Sequence, residues 1–287
     1  PVEKGTGGIL SLKDLSECPT DEQLIAIEKI ATELQGSLNL SQGPLLHVVL
    51  FNLGNERSNR LLFIIHHLAV DGVSWRILLE DFVTAYQQLM RGDEAIMLPP
   101  KTTSFKQWAE CLVEYAQSEA VTAELNYWWG KFRSRVVPLP LDYLASPAAN
   151  TVSSTAQVSV SLNVADTRAL LQEVPPVYHT QINDILLTAL VQSFAEWTTE
   201  QVLIVDLEEH GRKEALFEDI DLSRTVGWFT SLFPVLLDLR AVSNHPDEHI
   251  KFVKEQLRHI SKQGIHYGLL RYLNPTAAKY LQKLPEA

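Results

Sequence analysis

No apolar run in this sequence is longer than a β-strand needs. The longest, Leu61–Ile65 and Leu232–Leu237, are of strand length, whereas a membrane-spanning helix takes about 20 apolar residues. Between such runs, apolar residues recur at helical spacing. Thr20-Asp21-Glu22-Gln23 reads as a capping box opening a helix with Leu24, Ile27, Ile30 and Leu34 on one face, stopped by Gly36. Pro44–Leu53 and Arg60–His67 read as two strands across the polar loop Gly54–Asn59, paired either as a hairpin or through a neighbouring strand, the second apolar enough for burial on both faces. A helix from Ser74 carries Ile77, Leu78, Phe82, Tyr86 and Leu89 and stops at Gly92, and Ser104 caps a helical stretch reaching Phe132. Val158, Val160 and Leu162 alternate with polar residues as in a half-solvated strand. Asp166 is placed as the cap of a short helix ending at Pro175-Pro176, followed by a helix over Thr180–Thr198. Gln201–Leu207 and Leu232–Leu239 are strands, and Pro246 opens a helix running to Gln263. Helices and strands interleave throughout, so the class is α/β or α+β.

A chain of 287 residues with 46% hydrophobic residues can bury a core without covalent staples. Its formal net charge of −11 offers no basic face for nucleic acid. Two cysteines, Cys18 and Cys111, make neither a disulfide framework nor a metal knuckle, and suit a reducing cytoplasm. The sequence opens on Pro1, without a secretory leader pattern, and reads as a piece of a longer polypeptide. Val136–Asn150, rich in Pro, Ala and turn formers, divides it into an N-terminal lobe over 1–140 and a C-terminal lobe over 151–287.

Three constellations can carry chemistry. In His66-His67-Leu68-Ala69-Val70-Asp71-Gly72, two histidines end a strand and a tight turn follows. An arbitrary His-His pair is more often structural, and strand neighbours point to opposite faces and rarely share one metal ion. Chemistry needs only one of them at a cleft, with the other bonded into the scaffold, Asp71 bracing the turn through an Arg, and Gly72 letting the backbone bend. Glu208-Glu209-His210-Gly211-Arg212 follows a greasy strand. Such a run is usually a solvated loop, but a buried strand-end carboxyl could act as an acid or base. Arg224-Thr225-Val226-Gly227-Trp228-Phe229-Thr230 could line a pocket or pack beneath a loop.

Taken together these segments resemble the condensation superfamily of nonribosomal peptide synthetases, and His66–Leu78, with its Val-Ser-Trp-Arg-Ile-Leu extension, looks like the epimerization branch. Ile182–Leu190 is similar to that branch's Asn-Asp-x-Leu-Leu-Thr-Ala-Leu helix, Ser223–Val235 to its Arg-Thr-Val-Gly-Trp-Phe-Thr block, and Gly264–Leu273 to its Gly-Ile-Gly-Tyr-Gly-Leu-Leu-Arg-Tyr block. The four occur in the family's order and span most of the chain. The pattern is departed from twice: Glu209 and His266 stand where the family has Gly. A Glu at a position needing positive φ would strain the turn, and it sets a second negative charge beside Glu208. Relative to the family, both ends look clipped.

The resemblance implies a two-lobed fold similar to chloramphenicol acetyltransferase, each lobe a mixed sheet packed with helices, with a tunnel between lobes. It implies that His67 and Glu208 are the catalytic pair, with His66, Asp71, Gly72 and Arg224 in support. The substrate would be an aminoacyl or peptidyl thioester on the 4′-phosphopantetheine arm of an upstream peptidyl carrier protein domain, with other synthetase domains in the same polypeptide. No directly bound cofactor, metal, nucleic acid or membrane partner is implied. The activity implied is epimerization at Cα. The alternatives are a condensation-type acyltransferase, in which His67 assists amide formation, and a catalytically silent carrier-docking module.

Overall fold

The computed structural model describes residues 9–55, 57–132, 139–141, 151–243 and 245–284. They fall into two compact units, Pro1–Trp108 with Arg212–Phe229, and Ala109–Gly211 with Thr230–Ala287. This partition is discontinuous in sequence. The candidate linker 136–150 lies outside the described residues except for 139–141.

The first unit holds β1 (Leu10–Asp14), α1 (Gln23–Gly36), β2 (Leu46–Asn52), β3 (Arg60–Ile65), α2 (Gly72–Arg91) and the start of α3 (Phe105–Tyr115). Its sheet is mixed and ordered β1-β2-β3: β1 runs parallel to β2, and of the two pairings open to β2 and β3 the direct antiparallel hairpin is found, with Leu46 opposite Ile65 and Phe51 opposite Arg60. Alternation puts Val49 and Phe51 on one face of β2, where both are fully buried against Ile27, Ile30 and Leu34 of α1. Burying such side chains stabilises the fold by roughly 1.5–3 kcal/mol each.

Two expectations fail in this unit. The box at Thr20–Gln23 does not cap α1; the chain turns instead through Glu22 and Gln23 N–H donating to Pro19 O, and the Gln23 amide reaches back to the carbonyls of Leu15, Cys18 and Leu53. β3 is not buried on both faces, since Leu61 is exposed. α2 is the expected helix, stopped at Gly92; of its apolar stripe Ile77 is buried, while Phe82, Tyr86 and Leu89 are exposed. β1 is short, and its Leu10-Ser11-Leu12-Lys13 alternation covers only four residues.

The second unit adds α4 (Glu119–Thr122), α5 (Leu125–Phe132), α6 (Val164–Arg168), α7 (Val174–Tyr178), α8 (Ile182–Thr198), β4 (Val202–Glu209), β5 (Ser231–Asp238), α9 (Pro246–Arg258), α10 (Ile265–Gly268) and α11 (Pro275–Leu281). Its described sheet is the antiparallel pair β4-β5, with α8 and α9 packed on it. Phe233 to Leu237 are buried without alternation, as in a strand covered on both faces. Pro234 sits in β5 opposite Asp206, giving up one N–H. Trp128, Phe132, Val191, Leu236, Leu270 and Leu281 fill the core.

Here too the structure corrects the expectations. Residues 158–162 form no strand: Val158 and Val160 are 93% and 94% exposed, and no described segment pairs with them. Alternation marks only a chain able to be a strand; a ladder partner makes it one. Asn163, not Asp166, caps α6, accepting from Asp166 N–H. Pro175 and Pro176 do not end the helix but sit in the first turn of α7, where a missing N–H costs nothing. The helix opened by Pro246 stops at Arg258, short of Gln263.

Candidate active site

In the first unit, β3 ends at Ile65 and the ladder gives one more bond, His66 N–H to Leu45 O at 2.9 Å. His66 then turns its ring back on its own backbone. Its Nδ1 accepts from Leu68 N–H at 3.1 Å, which caps a 3₁₀ turn over His67–Ala69. His67 is thereby released from the strand and stands exposed. Its ring approaches Trp228 edge-on, with centroids 6.1 Å apart at 69°.

Asp71 caps α2, accepting from Ser74 N–H at 2.7 Å. It is buried, and its charge is met by Arg212, whose Nη2 lies 3.0 Å from Oδ1 and 3.2 Å from Oδ2. Burial works to raise the Asp71 pKa, but the Ser74 bonds and the Arg212 guanidinium outweigh it and hold the carboxyl below its ordinary value. The same guanidinium donates to the carbonyls of Leu222 and Thr225 and to Ser74 Oγ, and stacks 3.9 Å from the Phe229 ring centroid. Ser74 Oγ accepts from Arg212 and from Gly227 N–H and donates to Gly227 O, the full capacity of a hydroxyl. Gly227 is required by close approach: a Cβ there would lie 2.3 Å from the Phe105 ring.

The Arg that braces Asp71 is therefore Arg212, which stands within a motif of the sequence with nothing local to mark its role. Arg224 pairs with Asp81 and Glu80, midway along α2. Gly72 is the first residue of α2, takes no positive φ and has open space around it, so the bend expected of it is not made there.

In the second unit, β4 runs two residues further than expected. Glu208 pairs with Leu232 and Glu209 with Ser231, so neither carboxylate is in a loop. The flexible step is Gly211, at φ 65°. Glu209 is not among the positive-φ residues, so the strain expected of a side chain there does not arise. Strand alternation separates the two acids. Glu209 shares a face with Leu207 and lines a cavity of about 280 Å³ with Asn183, Asp184, Phe233 and Arg258, while its carboxylate lies 3.9 Å from His210 Nε2. Glu208 points the other way and is exposed; the burial expected for it is absent. Asn183 lines that cavity, and Asp184 caps α8 by accepting from Gln181 N–H at 2.7 Å.

His266 has a structural account. It is 2% exposed; Nδ1 lies 2.7 Å from Glu124 Oε1 and Nε2 lies 3.1 Å from the Tyr115 hydroxyl. Burial and the Glu124 charge push the Tyr115 pKa up, and the same two causes push that of Tyr127 to about 12.

A family model described as Condensation domain matches residues 8–284. The chain belongs to the condensation-domain family. One of the linear gramicidin synthase proteins of Brevibacillus parabrevis is 49% identical over 274 residues, which cover 96% of this chain and 4% of that protein. The chain thus spans a small fraction of the length of the curated relatives it matches. Among solved structures, the epimerization domain from the third module of tyrocidine synthetase B is 40% identical with a TM-score of 0.80, over 92% of this chain and 59% of that one. The first condensation domain of the calcium-dependent antibiotic synthetase shares the fold at 19% identity, with a TM-score of 0.62 over 92% of this chain and 58% of that one. The mixed α/β architecture is that of these chloramphenicol acetyltransferase-like domains. Among the described residues, no helix is long and apolar enough to cross a membrane, and no group of three or more His, Cys, Asp or Glu side chains is placed to hold a metal ion.

Proposed function

We propose that this condensation-family domain inverts the α-carbon of an aminoacyl or peptidyl residue held as a thioester on the phosphopantetheine arm of a carrier protein. One observation carries the reading: the likeness to an epimerization domain at 40% identity and a TM-score of 0.80, in a chain whose His-His-x-x-x-Asp-Gly extension and Asn183-Asp184 helix resemble those of the epimerization branch.

The chemistry is two proton transfers. A base takes the α-proton and the C–H pair moves into the thioester carbonyl, giving a planar enolate. An acid then returns a proton to the opposite face, and the pair moves back to carbon. Two proton-handling groups are needed, and we assign them to His67 and Glu208. An imidazole and a carboxylate both exchange protons near neutral pH when suitably placed. His66 shapes the turn that frees His67, and Asp71 fixes the start of α2 behind it. We assign Arg224 to support of α2 through Asp81 and Glu80. An upstream peptidyl carrier protein domain and further synthetase domains are the partners this reading requires.

The test is α-proton exchange in deuterated water, with the complete protein given an L-aminoacyl thioester on its carrier. Deuterium at Cα together with D-product supports the reading. Amide formation with a second carrier-bound substrate, without exchange, replaces it with the condensation reading. Neither activity, with carrier binding intact, leaves a silent docking module.

A further inference from the structure

We propose that Trp228 is the residue that positions the His67 imidazole for proton transfer. This rests on the epimerase reading above, in which His67 is one of the two proton-handling groups.

A catalytic histidine is commonly oriented by a hydrogen bond from its second ring nitrogen to a carboxylate or carbonyl. Among the described residues, the His67 ring has neither a hydrogen bond nor an ion pair; its ring contact is the edge-on approach of Trp228, centroids 6.1 Å apart at 69°. The backbone beneath it is held: Val70 N–H donates to His67 O, and His66 and Asp71 cap the turns on either side. The side chain is exposed and free to change χ1 unless something flanks it.

Trp228 is suited to flank it because its own backbone is fixed on both sides. Gly227 gives its N–H to Ser74 Oγ at 3.0 Å and takes the Ser74 hydroxyl on its carbonyl at 2.9 Å. The Phe105 ring closes the space over Gly227. Phe229 is buried between Phe105, Trp108 and the Arg212 guanidinium. Trp228, 38% exposed between these two anchors, projects its indole beside His67. One short segment thus bears His67 and, through Ser74, anchors Gly227, the residue before the indole. Edge-to-face aromatic pairs are worth enough to change a rotamer population about two- to tenfold.

The experiment compares wild type, Trp228→Leu and Trp228→Phe in the complete protein, following the imidazole resonances of His67 by NMR, assigned with His67→Gln, alongside exchange kinetics. The expected result is that Trp228→Leu shifts and broadens the His67 resonances, lowers kcat for α-proton exchange about two- to tenfold and leaves KM unchanged, while Trp228→Phe restores most of kcat. Unmoved His67 resonances in Trp228→Leu overturn the proposal. So does a raised KM at constant kcat, which would make Trp228 a substrate contact. Should the leucine variant fail to fold, Trp228→Met, which keeps bulk but no aromatic ring, carries the same readout, and unmoved His67 signals there overturn the proposal equally. A wild type inert toward the thioester removes the epimerase reading alone, and the His67 resonances still decide whether the indole orients the ring.

Discussion

The two candidate proton-handling groups are placed by opposite means. Around His67, position comes from a buried polar cluster: Asp71, Ser74, Arg212 and the Gly227 backbone satisfy one another, and the histidine stands at its edge. Around Glu208, position comes from the pleat of β4, which turns Glu208 to one face and Glu209 to the other through the register with Leu232 and Ser231. The first kind of placement is all-or-none, because a buried charge without its partner is expensive. The second is robust to side-chain chemistry but changes sign with a one-residue slip.

The largest expected effect breaks the polar cluster. Arg212→Met should destabilise the fold by about 3–5 kcal/mol in urea unfolding, because it leaves the Asp71 carboxylate buried without its cation. Arg212→Lys should not restore it, since one ammonium cannot reach two carboxylate oxygens, a hydroxyl and two carbonyls together. A loss under about 1 kcal/mol would mean that the cluster is solvated and not all-or-none.

Next comes a buried polar group of the other unit, His266. His266→Gly, the residue usual in the resembled block, should cost about 2–4 kcal/mol, through the cavity left and the loss of the bonds to Glu124 and Tyr115. A stabilised variant would show that the neighbouring helices close over the gap.

A smaller effect is read from pH. The Asp71 pKa is depressed in the folded state, so its contribution is complete above its ordinary value of 3.8 and is lost as pH falls through the lower folded-state value. Unfolding free energy should therefore decline with acidification below about pH 4, and decline less steeply in Asp71→Asn. Some slope should persist, since Asp14, Asp221 and Asp247 are depressed as well. Equal slopes would show that Asp71 is not charged in the fold.

The smallest expected effect is on the strand side. Glu209→Gly should relieve no strain and cost about 0.5–1 kcal/mol of strand stability. A stabilised glycine variant would mean that Glu209 is strained after all.

Much of this was legible in the sequence, and the failures share a cause. The strands β2 and β3, the helix stopped at Gly92, and Pro246 at the start of α9 follow from local spacing and turn chemistry, and all are found where that chemistry puts them. What local pattern does not hold is the partner. The alternation at 158–162 has no ladder mate among the described residues and is no strand, whereas Glu208 and Glu209 look like loop but are strand because Leu232 and Ser231 lie opposite. Likewise the need of Asp71 for an arginine was readable, but choosing Arg212 over Arg224 was not. The pair is 141 residues apart, and both arginines lie in plausible motifs. The Ser74–Gly227 bonds, on which the proposed role of Trp228 rests, join residues 153 apart.

Which strand-end carboxylate does the chemistry is decided by setting Glu208→Gln against Glu209→Gln in the α-proton exchange assay. We expect Glu208→Gln to lose exchange by about 10²-fold or more, as removal of a general acid or base does, with Glu209→Gln staying within a few-fold of wild type. Loss in Glu209→Gln with Glu208→Gln active would contradict this assignment, placing the reactive carboxylate on the cavity face of β4.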